Sequence, residues 1–165
     1  MAESGSPSKP VATSEIEERH FPDGLPKIPF EGGCHCGAVT FKLLHEPLTI
    51  FEHEGTSYHV PISCCDCSIC HKKGLLTIYP LRSDIEWKGW DELKNYRYAA
   101  KDRDHKFCGN CGSSVCIDFL DKWKFAGDVI GLNVRLIHGV DLQQLNLRYR
   151  HGRTDKPEWN DKYPV

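Results

Sequence analysis

The chain has 165 residues, of which 39% are hydrophobic and 10% aromatic, enough for one domain with a buried core. The formal net charge of -2 gives no electrostatic argument for binding nucleic acid or an anionic membrane, and no apolar run approaches the roughly 18 residues of a membrane span. The first residues contain no apolar signal core, and their acidic side chains argue against a mitochondrial transit peptide, so we predict a location in the cytoplasm or the nucleus.

Residues 1–26 are rich in Ser, Pro, Glu and Lys and poor in large apolar side chains. Such a segment buries too little apolar surface to offset the entropy lost on ordering. We therefore predict a disordered N-terminal tail over residues 1–26 and one folded domain over residues 27–165.

Short segments rich in β-branched and aromatic residues follow, each bounded by Gly, Pro or Asp. They predict strands at residues 38–43, 75–81, 84–89, 93–99, 113–119 and 128–137. Alternation places Val115, Ile117 and Phe119 on one face of a strand, and Gly131 is a candidate for a β-bulge. Residues 141–146 predict one helical turn at most, and no segment has the period of a long amphipathic helix. The pattern predicts an all-β fold, a small β-sheet domain with short helical turns.

Cysteine is the most informative residue type in this sequence. Nine cysteines in a chain predicted to lie in a reducing compartment indicate metal binding or catalysis, and an odd number resists complete disulfide pairing. Eight of them fall into three clusters, with Cys116 outside. The clusters are GGCHCG with Cys34 and Cys36, CCDCSIC with Cys64, Cys65, Cys67 and Cys70, and FCGNCG with Cys108 and Cys111.

The first and third clusters together form a closed set of four thiolates, which is typical of a structural zinc site. Two sulfurs on one tetrahedral zinc lie roughly 3.8 Å apart, a distance that Cys-x-Cys reaches in an extended segment and Cys-x-x-Cys in a tight turn. We assign Cys34, Cys36, Cys108 and Cys111 to a structural zinc. It would tie the start of the domain to a hairpin far along the chain.

The middle cluster supplies three ligands from one tight loop, Cys65, Cys67 and Cys70. Adjacent residues of an extended segment point to opposite sides, so Cys64 cannot easily share a metal with Cys65. Three protein ligands and an open fourth position are typical of a catalytic zinc. The sequence therefore predicts two zinc ions per chain, one structural and one catalytic.

Several of these residues can also have a purely structural role. The trio of cysteines can instead form a purely structural metal site that is completed by Asp66, His71 or His59. Cys64 and Cys116 are predicted to be buried free cysteines, which pack as small hydrophobic residues. Four histidines elsewhere in the chain are predicted to be surface or packing residues, namely His45, His105, His138 and His151.

These stretches resemble the glutathione-dependent formaldehyde-activating enzyme family, also called the CENP-V/GFA domain. The matching segments are GGCHCGAVTF, CDCSICHKKG, HKFCGNCGSSV and NVRLIHGVDL, in this order over roughly residues 30–147. The resemblance implies an Mss4-like β-sheet fold, a structural zinc on the four-cysteine set and a catalytic zinc on the trio. It also implies a carbon–sulfur lyase reaction, which in reverse adds glutathione to formaldehyde. The chain has His71 where many family members have arginine.

The donor set favours the same chemistry. Three thiolates and Zn²⁺ sum to a formal charge of -1, which suits the binding of a substrate thiol better than the activation of water. The expected substrates are a glutathione-like thiol and a small aldehyde. We expect His71 or Asp66 to assist proton transfer, and Lys72 and Lys73 either to attract the carboxylates of glutathione or to be solvated surface residues.

Two other functions remain open from the sequence. One is a zinc-stabilised binding module of the same fold without turnover, in which the open metal position is incidental. The other is a lyase for a different thiol adduct. Fold alone does not decide between them, because one fold supports unrelated functions.

Overall fold

The structure is a computed structural model of the chain, and it describes residues 24–97, 101–120, 122 and 128–157. Residues 1–23 of the predicted tail lie outside the described residues. Leu25, near the end of the predicted tail, is buried. The predicted boundary between tail and domain at residues 26 and 27 stays a prediction.

The described residues form twelve strands and two short α-helices, which confirms the predicted all-β fold class. No helix in this part of the chain is long and apolar enough to cross a membrane. The strands are β1 (Ile28–Gly33), β2 (Thr40–His45), β3 (Phe51–His53), β4 (Thr56–Tyr58), β5 (Ile62–Cys65), β6 (Thr77–Ile78), β7 (Ile85–Lys88), β8 (Leu93–Tyr96), β9 (Asp104–Cys108), β10 (Ser114–Asp118), β11 (Ile130–Asn133) and β12 (Leu147–Arg150). The helices are α1 (Ser68–Lys73) and α2 (Gly152–Asp155).

The strands form a three-stranded sheet, a seven-stranded sheet and a hairpin. The small sheet has the order β1-β2-β7, and the large sheet has the order β12-β5-β6-β11-β10-β9-β8. β3 and β4 pair with each other. Within the described residues all strand pairs are antiparallel except β12 with β5, which are parallel.

Each predicted strand overlaps an observed strand, and the observed strands are mostly shorter. The helical turn predicted at residues 141–146 is a 3₁₀ turn at Leu142–Gln144. The strands that the sequence pattern missed are β1, β3, β4, β5, β9 and β12. Most of these have three to five residues, too few for a two-residue period to stand out from noise.

β10 is buried on both faces, not on one. Val115, Ile117 and Phe119, which alternation places on one face, are buried, but Cys116 and Asp118 between them are buried as well. The Asp118 carboxylate can be buried because the Arg82 guanidinium pairs with it at 2.9 Å.

The predicted bulge at Gly131 is wrong. Gly131 pairs in regular register with Ile117, and the register shift lies in β10, between Ser114 and Cys116 where it meets β9. A glycine suits position 131 for another reason, because a Cβ there would lie 3.2 Å from the Ile117 Cβ. Close packing of β10 on β11, and not a bulge, accounts for this residue.

The core has two parts. The larger cluster contains buried residues of the three-stranded and the seven-stranded sheet, including Phe41, Ile62 and Leu132. The smaller one contains buried residues around the middle cysteine cluster, namely Cys67, Cys70, Leu75, Ile117, Phe119 and Val129. The middle cluster of cysteines therefore sits at the end of β5 beside an apolar cluster of its own.

Candidate metal centres

Two similar turns carry the four cysteines predicted to bind a structural zinc. Cys34 and Cys36 lie between β1 and β2, while Cys108 ends β9 and Cys111 lies in the turn before β10. In each turn the first cysteine donates its N–H to the carbonyl oxygen five residues later, at 2.9 Å in both cases. The repeated hydrogen bond folds each turn back on its cysteine pair.

The structure brings the four sulfurs of these turns together. All lie within 4.8 Å of one another, and the Cys36 sulfur is 3.6 Å from that of Cys34 and 3.7 Å from that of Cys108. These separations agree with the roughly 3.8 Å expected for two thiolates on a tetrahedral zinc. The four residues can therefore hold a zinc ion.

Hydrogen bonds reach two sulfurs of this four-cysteine set. The Ser113 hydroxyl lies 3.2 Å from the Cys111 sulfur, and with the Ser113 N–H it lowers the Cys111 pKa to about 5. The Val39 N–H donates to the Cys34 sulfur at 3.3 Å. Thiolate, not thiol, is the form that binds metal.

The trio of Cys65, Cys67 and Cys70 comes from the junction of β5 and α1. Cys65 ends β5, Cys67 is the N-cap of α1, and Cys70 lies in its first turn. The three sulfurs lie within 4.8 Å of one another. We predicted a tight loop here, and the structure shows that a helical turn brings the second and third cysteines to one face.

No histidine or carboxylate completes the trio among the residues described. The three sulfurs form a group by themselves, without Asp66, His71 or His59. This arrangement gives no support to the alternative of a closed structural site with one of these side chains as the fourth ligand. The donor set is three soft thiolates, which suits zinc.

The end of α1 explains the basic run after the trio. The Leu75 N–H donates to the Cys70 carbonyl oxygen and the Gly74 N–H to that of His71, the pattern of a Schellman motif. Leu75 and Cys70 also pack in the same apolar cluster. Because Lys72 and Lys73 lie in the last turn, their charge complements the negative end of the helix dipole.

The thiols of the trio perturb one another. The Cys65 and Cys70 thiols lower the Cys67 pKa to about 3, and the backbone N–H groups of Cys70 and Ile69 act in the same direction. The Cys65 and Cys67 thiols raise the Cys70 pKa, and burial adds to that rise. The cluster thus favours ionisation of one thiol, and a thiolate is the form that binds a cation.

Cys64 and Cys116 lie outside both sulfur groups. Cys64 is half-buried and packs on the larger core cluster, on the other side of β5 from Cys65, as the alternation of the strand predicts. Cys116 is only 3% exposed, and burial raises the pKa of its thiol. The prediction of a buried free cysteine is thus confirmed for Cys116, whereas Cys64 is only half-buried.

A small cavity of about 50 Å³ adjoins the trio, and all three cysteines line it. Ile69, Leu75, Ile117 and Phe119 form its apolar walls. A cavity of this size has room for only a few water-sized molecules. It can therefore take a one-carbon aldehyde but not a tripeptide.

Polar side chains that the sequence reasoning missed line the rest of the cavity. They are Ser63, Thr77, Tyr79, Arg103 and His105. The Thr77 hydroxyl lies 3.2 Å from the Tyr79 hydroxyl, so two hydroxyl groups meet within the lining. No motif marked these residues, because they come from β5, β6, β9 and the segments next to them.

His105 is a buried lining residue, where the sequence suggested a surface or packing histidine. It is 2% exposed, and its pKa is lowered to about 4, first by burial and then by the charges of Lys73 and Arg103. Its imidazole is therefore neutral at pH 7.

Neither group that we expected to assist proton transfer lines the cavity. His71 is exposed on α1. The Asp66 carboxylate accepts a hydrogen bond from the Arg153 N–H at 2.8 Å. His105, Tyr79 and Thr77 line the cavity instead.

The two lysines after the trio differ in their surroundings. Lys72 is exposed, whereas the Lys73 ammonium lies 5.2 Å from the Phe107 ring centroid and 5.9 Å from that of Tyr96. Burial lowers the Lys73 pKa. Lys73 thus makes cation–π contacts, and Lys72 is the lysine open to solvent.

Comparison with known proteins agrees with this geometry. A family model described as glutathione-dependent formaldehyde-activating enzyme matches residues 29–139, which include all seven cysteines of the two sulfur groups. A crystal structure of a Rhodobacter sphaeroides protein aligns with a TM-score of 0.54 and 24% identity, covering 73% of this chain and 99% of that chain. At this identity the alignment shows a shared fold.

Proposed function

The chain belongs to the glutathione-dependent formaldehyde-activating enzyme family, and from this premise we propose that it is a zinc-dependent carbon–sulfur lyase. Its substrate would be a glutathione-type thiol adduct, S-hydroxymethylglutathione or a related compound. The observation that carries the proposal is the position of the cysteine trio against a cavity large enough only for a very small electrophile.

The proposed metal ligands have different tasks. Cys34, Cys36, Cys108 and Cys111 would hold a structural zinc, and Cys65, Cys67 and Cys70 would hold a catalytic one. A zinc ion on the trio would supply a soft, open position that stabilises the substrate sulfur as a thiolate.

The residues around the trio would contact the tripeptide and the one-carbon unit of the substrate at different places. The tripeptide is too large for the cavity, so its thiol would reach the trio while the rest stays outside. The one-carbon unit would lie between Ile117 and Phe119. Lys72, exposed on α1, is the candidate among the two lysines for attracting a carboxylate of glutathione.

The polar lining would serve the oxygen of the adduct. In the addition direction the sulfur–carbon bond forms, the π pair of the carbonyl group moves to oxygen, and that oxygen takes up the proton that the thiol released. Cleavage reverses each change. The Tyr79 hydroxyl, which accepts a hydrogen bond from the Thr77 hydroxyl, and the neutral His105 imidazole would donate hydrogen bonds to this oxygen, where negative charge develops.

Turnover is tested by exchange at equilibrium, because glutathione adds to formaldehyde without a catalyst. The exchange rate between free glutathione and its hydroxymethyl adduct is measured by NMR with and without protein. Wild type should accelerate exchange, and Cys67→Ser should not, although it stays folded with about one zinc in place of two. Cys64→Ser is the matched control, because its side chain lies on the opposite face of β5 and should leave exchange unchanged.

Protection of the trio provides a second readout. Glutathione should slow the reaction of Cys65, Cys67 and Cys70 with thiol reagents, because its sulfur would occupy the open position between them. Equal exchange for wild type, Cys67→Ser and buffer, together with no protection, would reject the lyase activity for this substrate. A zinc-stabilised binding module, or a lyase for another adduct, would then be the better description.

A further inference from the structure

A C-terminal segment of the chain packs against the residues that carry the trio. β12 runs parallel to β5 and pairs Arg150 with Cys65. α2 follows at once, beginning with the buried Gly152. This segment lies beyond residue 139, where the family match ends, so the family description does not cover it.

Three hydrogen bonds join the segment to Asp66, the residue between the first two cysteines of the trio. The Asp66 N–H donates to the Arg150 carbonyl oxygen at 3.0 Å. The Arg153 N–H donates to the Asp66 carboxylate at 2.8 Å, and the Arg153 Nη2 donates to the Asp66 carbonyl oxygen at 3.2 Å. These bonds fix the backbone between Cys65 and Cys67, and with it the separation of the two sulfurs.

Gly152 is where the segment comes closest to the sulfurs. A Cβ at this position would lie 2.6 Å from the Cys65 sulfur and 3.0 Å from the Cys67 Cβ. Non-bonded heavy atoms prefer about 3.5–4.0 Å, so an added methyl group would displace its neighbours by about 1 Å. Ligand distances in metal sites hold to about 0.2 Å, so the trio cannot absorb such a shift unchanged.

We propose that residues 146–155 form a clasp that holds the trio in metal-binding geometry, with Gly152 and Asp66 as positioning residues. The need for a clasp follows from the local origin of the ligands. All three come from residues 65–70, so the separation of their sulfurs depends on how the rest of the domain holds this one stretch of backbone. The proposal rests on the trio binding metal, as the proposed function does, but not on any turnover.

The clasp also gives Asp66 a role other than the metal ligand or proton donor that the sequence suggested. Its carboxylate accepts a hydrogen bond from the Arg153 backbone N–H of the C-terminal segment. A neutral amide can accept the same hydrogen bond from Arg153, but it cannot replace a carboxylate as an anionic ligand or as an acid. Substitution of Asp66 by asparagine therefore separates these roles.

Gly152→Ala in the full-length, zinc-loaded protein tests the clasp directly. Competition with a chromophoric chelator measures how tightly each zinc is held. We expect at least about tenfold weaker binding of the trio's zinc, the range seen when residues that orient metal ligands are replaced. The zinc of the four-cysteine set should be held as in wild type, which also reports that the domain is folded. Gln143→Ala is the control, because this exposed residue lies in the 3₁₀ turn at Leu142–Gln144, before the clasp, and should leave both affinities unchanged.

A pair of substitutions at Asp66 keeps the test independent of the glycine. Asp66→Asn should retain the trio's zinc, and Asp66→Ala should weaken it as Gly152→Ala does. Wild-type zinc affinity in Gly152→Ala, or equal loss of zinc in Asp66→Asn and Asp66→Ala, overturns the clasp. Wild type that holds two zinc ions but does not accelerate exchange would count against the lyase proposal and leave the clasp standing.

Discussion

Cys108→Ser measures how much the four-cysteine set contributes to folding. Cys108 is fully buried, and its sulfur lies 3.7 Å from that of Cys36, which is 72 residues away in the chain. It ends β9, a strand paired with both β8 and β10 of the seven-stranded sheet. Cys36 follows β1 of the three-stranded sheet, so a metal bound here would tie the two sheets together.

The expected loss is large relative to the stability of a domain. A structural zinc in a small zinc domain contributes on the order of 10–16 kcal/mol of binding free energy, which is also folding free energy. A typical domain is stable by only about 5–15 kcal/mol in total. Because a serine hydroxyl is a poor replacement for a thiolate ligand, Cys108→Ser should leave most of the chain unfolded or insoluble.

Cys116→Ser is the matched control for this experiment. Cys116 is also buried and lies on the neighbouring strand β10, but it belongs to neither sulfur group. Burying its hydroxyl without a partner should cost about 1–3 kcal/mol. At about 2–4 °C per kcal/mol for a chain of this length, its melting temperature should fall by several degrees.

Zinc content per chain and thermal unfolding, followed by circular dichroism in reducing buffer, check both variants. Wild type and Cys116→Ser should each hold two zinc ions and unfold in one transition. A soluble Cys108→Ser protein that melts close to Cys116→Ser would show that the core holds the two sheets together without the metal. The reasoning from zinc binding energy would then be refuted.

Mild peroxide should form a disulfide between Cys67 and Cys70 and release the trio's metal before that of the four-cysteine set. Mass spectrometry that finds the first oxidation in the four-cysteine set would contradict this order. The His105 pKa is near 6.5 in the unfolded chain and about 4 in the folded protein. The free energy of unfolding should therefore fall by about 3 kcal/mol as the pH drops from 6.5 to 4. Urea titrations should show this loss in wild type and not in His105→Gln. Deleting the residues before Gly24 should not change the melting temperature, whereas a deletion that also removes buried Leu25 should lower it, since burying such a side chain is worth about 1.5–3 kcal/mol. Equal melting temperatures for the two truncations would show that Leu25 contributes nothing to the fold.

The sulfur groups could be predicted from the sequence because their chemistry is local. Cys-x-Cys and Cys-x-x-Cys each place two sulfurs at the separation that zinc requires, whatever the rest of the fold does. The remaining step, pairing Cys34 and Cys36 with Cys108 and Cys111, followed from counting ligands. Separating Cys64 from Cys65 needed only the alternation of side chains along a strand.

The cavity could not be predicted, because its lining depends on tertiary packing. β9 reads as Asp-His-Lys-Phe-Cys, which has no clear alternation, and nothing local indicates that His105 is buried. The contact between β12 and β5 joins Arg150 to Cys65 across 85 residues and is parallel, so no turn signal announces it. For the same reason, no sequence pattern indicates that Gly152 lies beside the trio.

The two sulfur groups have the same kind of ligand, but they differ in how far apart those ligands lie in the chain. The ligands of the four-cysteine set come from turns in two different sheets, so a bound metal organises the protein. The ligands of the trio come from residues 65–70, so the protein must organise the metal, through the helical turn of α1 on one side and the clasp on the other. A metal held in this second way can change its fourth ligand, or leave, without loss of the fold. That is the property a substrate-binding centre needs and a structural centre must avoid, so the role proposed for each sulfur group matches the way the group is built into the fold.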